Sequence, residues 1–519
     1  MKFLKKIKFS WVLFSFSIIF FAIIFYLVRH FMVNFDETDN LTSSFLMSQG
    51  QIFYRDLFNM HFPLPYYIGY FFAPLWANQD PSRSIALFRL SLLFVYSIPF
   101  FLVFLSFKHK KTKNTFSFWI ILFSFLVVLF HGNMYLSETF TTIFISSIFW
   151  LVGPIVLNLE EFSKYHLFLL ILFASLAFWT QPFLGLLLIL PLFFIKKRQF
   201  LTFILTSFLL NLIPLIYFLA NGQFIDFFNQ TIIYNFQTYS RFFPGQTGNN
   251  SMLYQSFVNF LKNELYLITH FYTATNIYEF IIHLGFIFFL LIVVLKKKIN
   301  FILAIFLILL ETRIREFKVN PGQIYDFAFF PFLSISLASI FLLLIYLKKV
   351  RGKIIVVFSL IIIFICLIID FKPIFLQSIN LGYNFDVFWS YRQRIGEDIA
   401  KLTTPEEKIL IYPYESDLYF FSRRQPSDRF IYWYPWINTD SKLRQERLTS
   451  LKTNPPALIY FAQKPYQNDP QAYSFFFPNL LNDYINVHKN NLSTNYWIRP
   501  DLASRLQPLN FSSHPPTKE

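Results

Sequence analysis

The feature that most constrains this chain is the recurrence of nearly uncharged apolar runs close to 20 residues long, the length that crosses a hydrocarbon core of about 30 Å. The first follows the basic opening MKFLKKIK and continues to Leu27. It is long for a signal peptide and lacks a small-residue cleavage site, so it reads as an uncleaved first span. Further runs fall at 85–107, 115–130, 138–157, 166–180, 182–195, 200–220, 277–295, 299–311, 327–347 and 354–371. Helices satisfy every backbone polar group within lipid. The expected fold class is therefore an α-helical polytopic membrane protein with about 11 transmembrane helices. The short pair 166–180 and 182–195 also reads as one broken helix.

Of the 519 residues, 55% are hydrophobic and only 14% are charged, which excludes an ordinary soluble domain. A net charge of +16 would suit nucleic acid, but the cations sit in short clusters between apolar runs. These are Lys108 to Lys113, Lys196 to Arg198, Lys296 to Lys298 and Lys348 to Lys353. Alternating the spans from a cytoplasmic N-terminus puts each cluster in a cytoplasmic loop, as the positive-inside rule requires. Topology explains the charge, and no nucleic-acid partner is expected. The expected location is the cell membrane, multi-pass, with the C-terminal domain extracytoplasmic. The single cysteine, Cys366, allows no intramolecular disulfide.

Residues 1–371 read as the membrane domain, with long outer loops at 31–84 and 221–276. Residues 372–382 read as a linker, 383–504 as a small extracytoplasmic α/β domain, and 505–519 as a loose polar tail. Within the outer domain, the patterns predict helices over 388–402 and 438–453 and strands at 409–414, 429–434 and 457–461. In the first outer loop, Pro63 to Trp76 is apolar but too short to cross, and suits the interface.

Chemistry-bearing residues cluster in that loop. NFDETDN places Asp36 and Glu37 just beyond the first span, where an acid is far better tolerated than at mid-bilayer. GQIFYRDLFNMHFPLPYYIGYFF follows from Gly50 to Phe72, and Glu138 opens the fourth span in GNMYLSETFTTIFISS. In order and spacing, Gly50, Tyr54, Asp56, His61, Pro63 and Leu64 resemble the loop motif of the polyprenyl-phosphate-dependent glycosyltransferases of the C-type fold. That superfamily includes the protein O-mannosyltransferase-like family 39 and the aminoarabinose transferases. Phe62 departs from the commoner double proline.

The resemblance implies a polyprenyl-phosphate sugar donor, held in membrane lipid, and an acceptor hydroxyl on a protein, lipid or glycan. It implies Asp36 as general base in an inverting transfer, with Glu37 and Glu138 positioning the acceptor or tuning Asp36. No cofactor is firmly implied; a divalent metal ion on Asp36 and Glu138 is an open option. His61, Arg313, Arg315 and Lys318 would meet the leaving phosphate, and Tyr66, Tyr67 and Trp76 would line the lipid groove. Each residue also has a plainer reading. Glu138 suits a helix start, the cations can pair with Glu311, Glu316 or headgroups, His61 can be structural, and the aromatics can be interface anchors. The competing class is a lipid or glycan transporter or flippase, for which mid-span charges and inverted repeats are expected; apart from Asp370 the spans show few charges and no repeat is visible. An oligosaccharyltransferase would carry a WWDYG-like motif, and YWYPWIN at 432–438 lacks its Asp-Tyr-Gly.

Overall fold

The computed structural model describes residues 9–30, 35–238, 277–296, 326–347, 350–380, 387–433, 440–461, 483–489 and 492–506, with a few isolated positions besides. The chain is mostly helical. It opens with α1 (Phe9–Leu27), then α2 (Phe35–Ser48), α3 (Leu64–Phe71) and α4 (Ala73–Trp76). Four long helices follow: α5 (Pro81–Ser106), α6 (Lys110–Leu129), α7 (Ser137–Val156) and α8 (Lys164–Thr180). After a 3₁₀ segment at Pro182–Phe193 come α9 (Phe200–Ala220), the short α10 (Phe224–Phe228) and α11 (Tyr234–Gln237). The described membrane part ends with α12 (Ile277–Leu295), α13 (Asp326–Tyr346) and α14 (Val350–Asn380).

Six helical stretches among the described residues are long and apolar enough to cross a membrane: those at 9–27, 81–106, 110–129, 137–156, 197–220 and 352–376. Shorter apolar helices occupy 164–180, 184–193, 280–295 and 330–346. The expected span at 299–311 lies largely outside the described residues. α7 is buried along its whole apolar window and is the centre of the bundle, packed against α5, α8 and α13. Ser146 and Ser334 hydroxyls meet at 2.5 Å across the α7–α13 crossing, and Gly153 faces Leu342 there, the small-residue contact typical of helices packed in lipid. In contrast, α9 and α14 are largely exposed and apolar, the surface that acyl chains would cover.

Two local details correct the expectations. Residues 182–193 form a 3₁₀ helix, broken from α8 at Gln181, whose backbone is extended, and packed against α8. The expected linker at 372–382 is helical as far as Asn380, because α14 runs on beyond its apolar stretch.

The C-terminal domain contains α15 (Val387–Leu402), β1 (Ile409–Tyr412), α16 (Asp417–Ser422), α17 (Ser441–Thr453), β2 (Leu458–Phe461), β3 (Ile485–Lys489) and β4 (Leu492–Ile498). The sheet order is β1-β2-β4-β3, with β1 and β2 parallel and the other pairs antiparallel. The parallel pair needs a crossover, and α16 and α17 lie on it. Every residue of β1 and β2 is buried, as their unbroken apolar sequences require. The expected strand at 429–434 is absent over its described residues 429–433. Its backbone bonds go elsewhere: Trp433 N donates to Pro413 O (2.7 Å), and Arg429 O accepts from Phe58 N (2.7 Å).

The apolar helices and the C-terminal domain meet over residues 35–80. Phe420 of α16 packs on Phe45 of α2 at 5.4 Å. The Arg423 guanidinium donates to the carbonyls of Ala77 and Gln79, just after α4. α3 lies close on α2 because Gly69 has no side chain: a Cβ there would run into the Ser44 hydroxyl and the Phe88 ring. We expect Gly69→Leu to prise α3 from α2 and to cost about 1–3 kcal/mol or more, as overpacking does; thermal unfolding in detergent would read this as a clear drop in midpoint against wild type.

Candidate functional site

α2 is short, polar and acidic in its first turn, where the helix dipole favours Asp36 and Glu37. Its 3.6-residue period sorts its acids onto different faces. Glu37 and Asn40 face the scaffold, and between them they grip one residue of the outer loop before α7. Tyr135 N donates to Glu37 Oε1 (3.2 Å), and Asn40 Nδ2 donates to Tyr135 O (2.9 Å). The Glu37 carboxylate also forms a buried two-pronged ion pair with Arg89 of α5, with Nε to Oε1 at 2.9 Å and Nη2 to Oε2. Arg89 Nη1 donates in turn to Arg29 O at the end of α1 (3.2 Å). Glu37 thus sits in a buried ion pair with Arg89.

Asp36 and Asp39, one turn apart, share the other face. Asp36 is exposed. Asp39 is buried and accepts from Tyr66 Oη (2.6 Å), Asn59 Nδ2 (3.0 Å) and Ser43 Oγ (3.3 Å). His61 completes the cluster, with Nδ1 at 3.1 Å from Tyr66 Oη, 3.2 Å from Asn59 Oδ1 and 3.8 Å from Asp39 Oδ2. Burial pushes the Asp39 carboxyl up to about 6, the Tyr66 and Asn59 donors pull it down, and the neighbouring Asp36 charge pushes it up again.

The loop motif builds the frame for this cluster. The Tyr54 hydroxyl donates to His61 O (2.8 Å), while its own backbone is held at φ +66°. Asp56 closes the turn by accepting from Ile52 N (2.9 Å) and pairs with Arg55. Burial would raise the Asp56 carboxyl, but the Arg55 guanidinium and the Ile52 amide prevail and hold it below its ordinary value. Gly50 ends α2 at φ +93°, with Gln51 N bonded to Leu46 O and Gly50 N to Met47 O, the Schellman pattern. Pro63 is the N-cap residue of α3. Gln230, from the segment after α9, donates to Tyr54 O (2.6 Å) and accepts from Asn59 N (2.8 Å). It lies in a single π-helical turn at Asn229–Ile233.

Of the other expected site residues, Glu138 is buried in the first turn of α7, two residues past the clamped Tyr135–Leu136 segment. Arg313, Arg315 and Lys318 lie outside the described residues. Trp76 is fully buried and donates to Gly69 O (3.2 Å), and Tyr67 bonds Gln223 (3.1 Å), so neither stands as a loose interface anchor. Among the described residues no group of three or more His, Cys, Asp or Glu side chains could hold a metal ion, and the pairing of Glu37 with Arg89 removes one donor. Sequence reasoning missed Asp39, Asn59 and Arg89. The signals for them were an acid one turn after Asp36, a polar residue two before His61, and a lone cation in the run 85–107.

Two outcomes follow. Arg89→Met leaves Glu37 buried without its cation and is expected to cost about 3–5 kcal/mol, with Glu37→Gln in the same chain recovering part of the loss; unfolding midpoints of the single and double variants read this directly. Between about pH 4 and 6 folded Asp39 keeps a proton that the unfolded chain has released, so its contribution to stability declines as pH rises through that window. Asp39→Asn should flatten that slope. Comparison with protein-family models, curated proteins and solved structures returns no match to this chain.

Proposed function

We propose that the protein is a membrane glycosyltransferase that moves a sugar from a polyprenyl-phosphate donor to an extracytoplasmic acceptor hydroxyl with inversion. The observation that carries this reading is an exposed carboxylate, Asp36, one turn from a buried Asp39–Tyr66–Asn59–His61 network at the junction of apolar helices and an outer domain. Such a place reaches lipid and water at once, as a lipid-linked donor and a water-borne or lipid acceptor require. Segments at 35–80, 131–136, 221–238 and 387–433 converge there, while Lys108, His109, Glu160 and Lys296 lie at the far end of α5, about 26 Å along that helix from Arg89. In this reading the latter end is cytoplasmic, in keeping with the basic clusters.

Asp36 accepts the proton of the acceptor hydroxyl as its oxygen bonds to the anomeric carbon. The bond from that carbon to the phosphate oxygen breaks on the opposite face, and its electron pair leaves on the polyprenyl phosphate. The phosphate is charged before and after, so no acid is needed to expel it. His61 meets the phosphate, while Glu37 acts at a distance by fixing α2.

Asp36→Asn in vesicles supplied with a panel of polyprenyl-phosphate sugars and a cell extract as acceptor is expected to release free polyprenyl phosphate at least about 100-fold more slowly than wild type. Equal release by both proteins would remove Asp36 from the reaction. Absence of release from every donor with wild type would turn the weight to transport.

A further inference from the structure

We propose that the exposed cations Lys110, Lys111, Lys164, Lys196, Lys197 and Arg198 form one docking surface for the anionic phospholipid headgroups of a single leaflet, and that α9 relies on this surface for its seating. The cations come from three connections distant in sequence, and the fold knits these connections into one platform. The buried Glu160 carboxylate, between α7 and α8, accepts from the backbone N–H groups of Lys108 (3.0 Å) and His109 (2.9 Å) in the connection from α5 to α6. The Phe162 ring stacks on Phe194, just after the 3₁₀ segment, with centroids 5.6 Å apart. Lys296 Nζ, at the end of α12, donates to Leu157 O at 3.0 Å. Tied together in this way, the cations cannot move apart, and they repel one another until anions face them.

The charge on this platform is one-sided. Among the described residues of the three connections Glu161 is the one exposed acid, and it pairs with Lys108 at 3.3 Å, so none of the six cations has an acidic side chain within ion-pair distance there. Their depth places them against lipid. Exposed apolar side chains begin within four residues, about 6 Å along a helix: Leu201, 66% exposed, after Arg198, and Phe168, 44% exposed, after Lys164. The headgroup layer is itself about 5–7 Å thick on each face of the hydrocarbon core. The cations therefore lie at phosphate depth, where each Lys or Arg beside an anionic surface strengthens the attraction about 5-fold. α9 has the most to gain. Only 6% of its apolar window is buried, the least of the six candidate spans, and Lys197 and Arg198 lead straight into it at Phe200. Its polar ties to α8, among the described residues, are those of Asn211 with Trp179 Nε1 (3.0 Å) and Ser175 Oγ (3.0 Å). At its other end Phe218 and Tyr217 pack on Tyr54 (5.9 Å) and Tyr67 (5.4 Å), so a headgroup anchor holds a helix that reaches the candidate site.

The test uses the full-length protein in vesicles of phosphatidylcholine alone and of phosphatidylcholine mixed equally with phosphatidylglycerol. In the mixed vesicles wild type is expected to unfold at a clearly higher temperature, and the backbone amides of α9 to exchange with solvent about 10-fold more slowly. Molar salt should remove both differences, because it screens exposed charges. Lys196→Gln, Lys197→Gln and Arg198→Gln together should leave the midpoint in pure phosphatidylcholine unchanged and abolish most of the gain from phosphatidylglycerol. Lys442→Gln with Lys452→Gln, both exposed on α17 of the C-terminal domain, should keep the full gain. A triple variant that keeps the full gain, or a wild type that shows none, would overturn the docking surface. An equal gain from soluble glycerol phosphate in pure phosphatidylcholine would assign the cations to a free anion and overturn it as well. A raised midpoint with unchanged exchange in α9 would overturn the seating role. None of these outcomes bears on the transfer reaction, which engages the other end of α5.

Discussion

The arrangement of the site depends on the buried ion pair between Glu37 and Arg89. Two charges taken out of water cost more than their attraction returns unless each is well bonded. Here both carboxylate oxygens are used, and the guanidinium also reaches the carbonyl of Arg29. The pair thereby ties α2 to α5, to the end of α1 and to the loop that precedes α7. With Glu37 and Asn40 locked on Tyr135, the helical period leaves only one direction for Asp36 and Asp39. The ion pair is thus a device for aiming a neighbouring face, and its value lies in register more than in stability.

The outer-loop motif works in the same way. Gly50 supplies a left-handed turn, Tyr54 a buried hydroxyl under His61, Asp56 a closed turn and Pro63 the entry to α3. None of these four places a reactive group in the cluster; all of them place the chain that carries Asn59 and His61. The C-terminal domain then packs on the frame. Arg429 bridges Asp226 and Glu446, while Phe430 packs on Phe58 at 5.1 Å. A loop this thoroughly bonded by its neighbours can hold a buried carboxylate whose described partners are neutral donors and a histidine.

How far the fold was legible follows from what each signal depends on. Apolar length is a property of one segment, so the helices from α5 to α9 and α14 stand close to where their sequences put them. Strands β1 and β2, buried throughout, read correctly for the same reason, whereas INVHK and LSTNYWI, short and mixed in polarity, escaped notice as β3 and β4. The sequence RFIYWY has strand composition, yet its aromatics serve a cluster around Arg447, whose guanidinium lies 4.3 Å from the Trp433 ring. In the site, Asp36, Glu37 and His61 were visible as chemical types. That Glu37 belongs to Arg89, 52 positions away, and Asp39 to Asn59 and Tyr66 is a matter of folded distance, which a single sequence does not encode locally.

Asp39 and Glu37 show how one short helix can give two acids different chemistry. Glu37 is neutralised by a guanidinium that stays charged at any working pH, so its surroundings leave little to vary. Among the described residues, Asp39 is surrounded mainly by neutral donors, with His61 as its nearby cationic-type partner. Burying a carboxylate against neutral donors raises its proton affinity. Glu37 is thus fixed by one strong partner and Asp39 by several weaker ones.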